Sequence, residues 1–279
     1  MSRKYFLFFL KYALFVVIIF SLLYFLLVVL IKPSNEREWS EDQKFLPEVI
    51  FEGDKIIIKN FRDNIYKSTN NYKAQYKTET FDLKKLESAW LAVEPFGKFG
   101  AAHTLLSFGF SDGKFLAISA EIRKEKYEEF SAFKGLFRQY ELMYVLATEE
   151  DVLMLRTNYR KDIVRLYPIK ADKEKIKAVL VSMLEYANHL KEHPQFYNTV
   201  TNNCATNIVK HVRKFSSKDI PVWDIRYLMP EYFDEIAYNL GVIDTKLPLD
   251  KAREKFNITP KAQNCSREDF SFCVRDGLR

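Results

Sequence analysis

Hydrophobic positions follow three different rhythms along this chain. From Tyr12 to Ile31 every residue is uncharged and none is proline. A helix rising ~1.5 Å per residue carries such a run of about twenty across a hydrocarbon core of about 30 Å. Farther on the rhythm shortens to two. Val49–Phe51 and Lys55–Lys59 flank a turn at Gly53, and strands are expected over 104–110, 115–122, 142–147, 152–156 and 163–168. The rhythm then lengthens to three and four. Ile176, Val179, Leu180, Met183, Leu184, Ala187 and Leu190 form one stripe of a helix over 171–190 that Pro194 stops. Shorter helices are expected over 205–214 and from Pro230 to Gly241, and Asp82 is expected to cap one through Leu83, Leu86 and Ala89. Antiparallel strands followed by helices make an α+β fold.

One hairpin can be registered from its turn. Ser111-Asp112-Gly113 suits a three-residue loop closed by a left-handed glycine. Phe110 then faces Lys114, Leu106 faces Ile118 and His103 faces Glu121. Leu106, Phe108, Leu116, Ile118, Ala120 and Ile122 share one face, while His103, Leu105, Ser107, Ala117, Ser119, Glu121 and Arg123 share the other. A slip of one residue would exchange the faces, so the apolar face selects this register.

Charge and cysteines place the parts. Arg3, Lys4 and Lys11 precede the apolar run, and mixed charges follow Lys32. The positive-inside rule leaves the N-terminus in the cytoplasm. The run is longer than a signal-peptide core and lacks small residues at its exit, so an uncleaved anchor over 1–31 is expected, then a linker over 32–48 and one domain over 49–279. Cys265 and Cys273 are eight apart, close enough to bridge in an oxidising compartment, and Cys204 is left over. The formal charge of +6 fits a solvated, slightly basic surface. No phosphate loop, dinucleotide fingerprint or zinc-ribbon spacing occurs, and no nucleic-acid partner or cofactor is expected.

Two places could carry chemistry. A carboxylate at Glu121 opposite His103 can hold the imidazole in one tautomer and stabilise its cation. The plainer alternative is a structural cross-strand ion pair. Cys204 follows Asn202-Asn203, a good N-cap, so it stands in the first turn of a helix, where orphan amides and the dipole favour a thiolate. The plainer alternative is a buried packing thiol. Cys204 and His211 also share a helix face, but a tetrahedral zinc site wants more ligands at tighter spacing, and no metal is expected.

These motifs carry a resemblance. Trp90–Gly113 with Pro95-Phe96-Gly97 and Ala102-His103-Thr104, then Ser119–Arg123, Gly135–Leu142, Leu155-Arg156, Phe196–Thr199 and Asn203-Cys204 resemble the N-terminal periplasmic domain of the Lnb family of lipoprotein N-acyltransferases over most of 50–215. The longer acyltransferases carry further membrane-spanning segments that this sequence does not contain. The resemblance implies a papain-like (permuted NlpC-like) antiparallel sheet packed on helices, histidine before cysteine, with Cys204 as nucleophile and His103 as base. Glu121 as third member comes from the hairpin register. Arg123 and Arg156 are expected to hold a phosphate headgroup, with Ser119, Tyr197, Asn198 and Asn203 on the substrate side. The reading is a single-pass enzyme of a bacterial inner membrane that moves an acyl chain from phospholipid to a lipoprotein amine through a thioester on Cys204. A cysteine hydrolase acting on peptidoglycan or lipid, and a non-enzymatic envelope binding protein, are the alternatives.

Overall fold

The computed structural model describes residues 3–26, 30–97 and 100–278. Helix α1 (Arg3–Tyr24) carries the exposed stretch Leu7–Tyr24, which is long and apolar enough to cross a membrane. Of the apolar run read to Ile31, residues 27–29 lie outside the described ones.

The core is a sheet that alternation builds and a two-layer helical cover completes. Its strands are β1 (Glu48–Glu52), β2 (Lys55–Arg62), β5 (Tyr76–Asp82), β6 (Leu86–Pro95), β7 (Ala102–Phe110), β8 (Phe115–Arg123), β9 (Glu141–Ala147) and β10 (Arg165–Pro168); β3 (Ile65–Tyr66) and β4 (Tyr72–Lys73) pair separately. The order is β1-β2-β9-β8-β7-β6-β10, with β5 beside β2. Pairing is antiparallel except for one parallel contact, Arg62 with Ala147 of β9. The β7–β8 register is the one its turn predicts: Leu106 pairs with Ile118, Phe108 with Leu116, and Gly113 has φ +85°.

Helices cover both faces. After α2 (Glu149–Met154), which a wider turn (Leu155–Arg160) extends, come α3 (Lys173–Glu192) and α4 (Cys204–Phe215), then the short α5 (Phe233–Asn239), α6 (Leu249–Lys255), α7 (Thr259–Ala262) and α8 (Phe270–Cys273). α3 lays its stripe on β6, β9 and β1, and α4 packs on β7 and β8 over the face holding Leu106 and Phe108. α2 packs on β8 and α8. The fold is α+β, as the order of rhythms requires.

Three stretches differ from the sequence expectation. Residues 152–156 are helical, not extended. Thr148 caps α2 by accepting the Asp151 amide, and Glu149, Glu150 and Asp151 suit the positive end of the dipole. Asp82 caps only the single turn Leu83–Lys85, after which Leu86–Pro95 is the longest strand. Its near-continuous apolar run fits a strand buried on both faces. The segment 34–46, read as linker, is docked on the domain: Trp39 is buried, Ser40 donates its amide to the Lys124 carbonyl, and the Gln43 side chain accepts the Lys124 amide.

Cys265 and Cys273 form a disulfide that closes α7 onto α8. The loop is small, so its closure contributes about 2.5 kcal/mol in the chain-entropy account. Changing both to serine is expected to lower the melting temperature by about 5–10 °C while leaving a cooperative transition. Calorimetry of the oxidised and double-serine proteins checks this, and loss of the transition would show that the bridge is needed to fold.

Candidate active site

The site begins where β7 and β8 part. Their ladder ends at Leu106 and Ile118, beyond which β8 continues with β9, and β7 with β6. Phe110 gives its amide to Lys114 across the hairpin. By alternation Thr104 turns its amide the same way, into the opened wedge. There it meets the amino end of α4. Asn203 caps that helix with a full capping box: its side chain accepts the Thr206 amide at 2.9 Å, and the Thr206 hydroxyl accepts the Asn203 amide at 2.8 Å. Cys204 is therefore the first helical residue, and it is the free cysteine, 3% exposed. The Thr104 hydroxyl and amide, and the amides of Ala205 and Cys204 itself, draw its thiol pKa down.

Burial overrides them, and the thiol is pushed above its ordinary value. The sequence expectation of a thiolate at neutral pH is thereby corrected. A first-turn position stabilises the anion, but taking the sulfur out of water costs more than those dipoles return.

His103 lies on the other face of β7, toward Glu121, as the hairpin register requires. Its Nε2 is 2.6 Å from Ser119 Oγ and 3.7 Å from Glu121 Oε1. Ser119 donates its hydroxyl hydrogen to Glu121 Oε1 at 2.8 Å. A carboxylate can only accept, so that hydrogen is committed, and Ser119 Oγ must accept from Nε2–H. The neutral ring then carries its lone pair on Nδ1, which makes no hydrogen bond among the described residues. Cys204 thus meets β7 at Thr104, the residue after His103, with no hydrogen bond between thiol and imidazole among the described residues.

Charges behind the pair set its protonation. Glu94 pairs with His103 across β6–β7 and is buried. Arg156 donates Nε to Glu94 at 2.6 Å, NH1 to the Val152 carbonyl at 2.6 Å and NH2 to Glu121 at 3.2 Å. Burial, then Arg156, pushes the His103 pKa from 6.5 down to about 4, against the pull of Glu121 and Glu94. Burial would raise Glu121, but Arg62, Arg156 and His103 together hold it at about 2. At neutral pH the site holds a neutral imidazole beside an ionised carboxylate.

Several residues expected on the substrate side are engaged elsewhere. Arg123 donates to the Gln43 and Lys44 carbonyls and to the Asn35 side chain, and stacks 4.1 Å from the Trp39 ring centre. It clamps the N-terminal segment and has no donor directed at a phosphate. Arg156 is committed to Glu94 and Glu121. The Asn203 amide group donates to the Thr199 and Tyr227 carbonyls, and Asn198 holds the turn that precedes the cap through the Val200 and Thr201 amides. Ser119 is the bridge between His103 and Glu121. Tyr197 has a buried ring and a phenol pKa raised first by burial, then by Cys204 and Glu121. Sequence reasoning missed Glu94 and Thr104. A lone glutamate in the apolar run Trp90–Pro95 was the available sign of the first; nothing local marks the second. His211 is held by Tyr144 and Ser182 through both ring nitrogens, each at 2.9 Å, as a core residue.

A family model described as the Lnb N-terminal periplasmic domain matches residues 72–231. No curated protein and no solved structure matches.

Nitrogen-15 spectra of the histidine rings are expected to show His103 with a protonated Nε2 and a bare Nδ1 at pH 7, titrating near pH 4. A bare Nε2 would refute the hydrogen-bond chain. Because the folded state keeps this ring neutral while the unfolded chain protonates it below about 6.5, stability falls as pH drops through that window. Alkylation of Cys204 should accelerate with pH past neutrality, with no plateau near pH 7.

Proposed function

This chain belongs to the family of the Lnb N-terminal periplasmic domain, and from that premise we propose that it is a thiol acyltransferase working at the outer surface of a bacterial inner membrane. The observation that carries the reading is the hydrogen-bond chain from Glu121 through Ser119 to His103 Nε2, which leaves Nδ1 as a free base one residue along β7 from Thr104, the residue that meets the first-turn thiol of α4. α1 anchors the chain with its N-terminus in the cytoplasm, and residues 49–279 form the periplasmic papain-like domain.

The chemistry follows from the neutral resting pair. Nδ1 takes the thiol proton as Cys204 Sγ attacks the ester carbonyl of a phospholipid. A buried thiol with a raised pKa ionises only as this transfer occurs. Glu121 stabilises the imidazolium through Ser119 and across 3.7 Å. The first-turn amides of α4 are the donors available to the oxyanion. The C–O bond breaks, Nδ1 returns its proton to the departing lysolipid alkoxide, and a thioester remains on Cys204. A lipoprotein amine then attacks that thioester, losing a proton to Nδ1. Amide forms, the C–S bond breaks, and the thiolate is reprotonated by the imidazolium. Water in place of the amine would make the same site a hydrolase.

The buried sulfur favours a second reading, a non-enzymatic binding protein on the same fold. Intact mass separates the two. Full-length protein incubated with phospholipid in detergent is expected to gain the mass of one acyl chain, and Cys204→Ala to gain none. Cys204→Ala should abolish transfer, and His103→Ala should lower it about 10²–10⁴-fold. The double variant should be no worse than Cys204→Ala, since each group works through the other. Transfer that survives in Cys204→Ala would end the covalent mechanism.

A further inference from the structure

The anchor and the cleft are joined by a loop whose apolar side chains have no protein to cover them. Ser34 donates its amide to Glu141 Oε1 at 3.1 Å, and Asn35 Nδ2 donates to the Leu190 and Lys191 carbonyls at 3.0 and 2.9 Å. Ser34 is three residues past Ile31, so this patch of the domain lies within about 10 Å of the end of the apolar run. The chain then runs beside the start of the loop between β8 and β9. Lys126 donates its amide to the Glu38 carbonyl at 2.6 Å, and Ser40 donates to Lys124 at 3.0 Å. Directly beyond, Tyr127 is 91% exposed, Phe130 52% and Phe133 69%. The Phe133 ring meets Phe137 at 4.9 Å, and Phe137 meets Tyr24 of α1 at 6.4 Å.

The other side of this loop rests on the site. The Thr199 hydroxyl donates to the Ala132 carbonyl at 2.7 Å, and the Thr199 amide to Gly135 at 3.3 Å. Gly135 has no side chain because one would strike Thr199. Phe130 meets Phe96, in the turn that leads β6 into the strand of His103, at 6.1 Å. The loop thus touches the segment before Cys204, the segment before His103 and the anchor.

We propose that Tyr127, Phe130 and Phe133 enter the interfacial layer of the membrane that holds α1, and so seat the mouth of the His103–Cys204 cleft on lipid. Aromatic rings at this depth remove apolar area from water, and tyrosine keeps its hydroxyl among headgroups. The anchor selects the occupant: through Phe137 the loop lies against α1, whose exposed apolar length calls for lipid around it. The inference rests on the anchor and not on the chemistry of Cys204.

The test uses the full chain in vesicles of phosphatidylethanolamine and phosphatidylglycerol. In a Cys204→Ala background, a nitroxide is attached at Tyr127→Cys, at Phe133→Cys and, as an exposed reference at the end of β1, at Glu52→Cys. Loop labels are expected to collide more with oxygen and less with a water-soluble nickel chelate than the reference does. Chelate access equal to the reference would overturn the proposal, as would low access to both reagents, the sign of a covering protein. With Cys204 intact, replacing all three aromatics by serine should slow acyl-adduct formation about ten-fold on vesicles and leave it unchanged on the same lipid in micelles. An unchanged rate on vesicles would also overturn it. The collision result stands whether or not an adduct forms, so failure of the acyl-transfer reading is separately visible.

Discussion

Everything at the site depends on β7 and β8 ceasing to pair after Leu106 and Ile118. A continuous ladder would put Cys204 and His103 on opposite sides of a closed sheet. With the strands parted, the Thr104 amide has no partner on β8 and meets Cys204 at the amino end of α4. The sulfur comes from the helical side and the imidazole from the other. The opening exists because each strand is held elsewhere: β7 stays with β6 to Ala102, and β8 stays with β9 to Arg123.

Opening a sheet exposes polar groups inside a protein, and a closed charge network answers that cost. Glu94, Arg156, Glu121 and His103 sit together with almost no water, and each charge has an opposite partner. Removing one member of such a group leaves another buried and unpaired, which is more damaging than the pair is stabilising. The same network drives the two titrating members apart. Arginine neighbours keep Glu121 ionised, and burial together with Arg156 keeps His103 neutral. A base that rests neutral and gains its counter-charge only on protonation suits general-base work better than a resting ion pair, because it can still accept a proton.

The docked N-terminal segment ties this cleft to a surface. Arg123 is its fastening, with donors on Gln43, Lys44 and Asn35 and its guanidinium on Trp39. A residue expected to hold a phosphate thus fastens the segment 35–44 to the domain. Buried arginines serve both ends equally well, and only the acceptors in reach decide between a lipid headgroup and a backbone carbonyl.

What could be read from the sequence was what neighbours in the chain determine. The length of the apolar run, the Ser-Asp-Gly turn with its register, the stripe of α3, the cap before Cys204 and the Cys265–Cys273 spacing all express interactions within a few residues, and the α+β class follows from their order. His103 and Glu121 were placed on one face because a hairpin carries its register along the strands. The run at 152–156 reads equally as strand or helix because burial on all sides erases the signal that separates them, and the spacing of Leu83, Leu86 and Ala89 suits a helix that the structure stops at Lys85. Only the tertiary structure decided that Ser119 bridges the pair, that Glu94 and Arg156 stand behind it, that Arg123 faces the N-terminal segment and that burial raises the thiol. Those outcomes depend on which distant chain segments are brought within a few ångströms, and on the water excluded between them, and neither is written in any local stretch of residues.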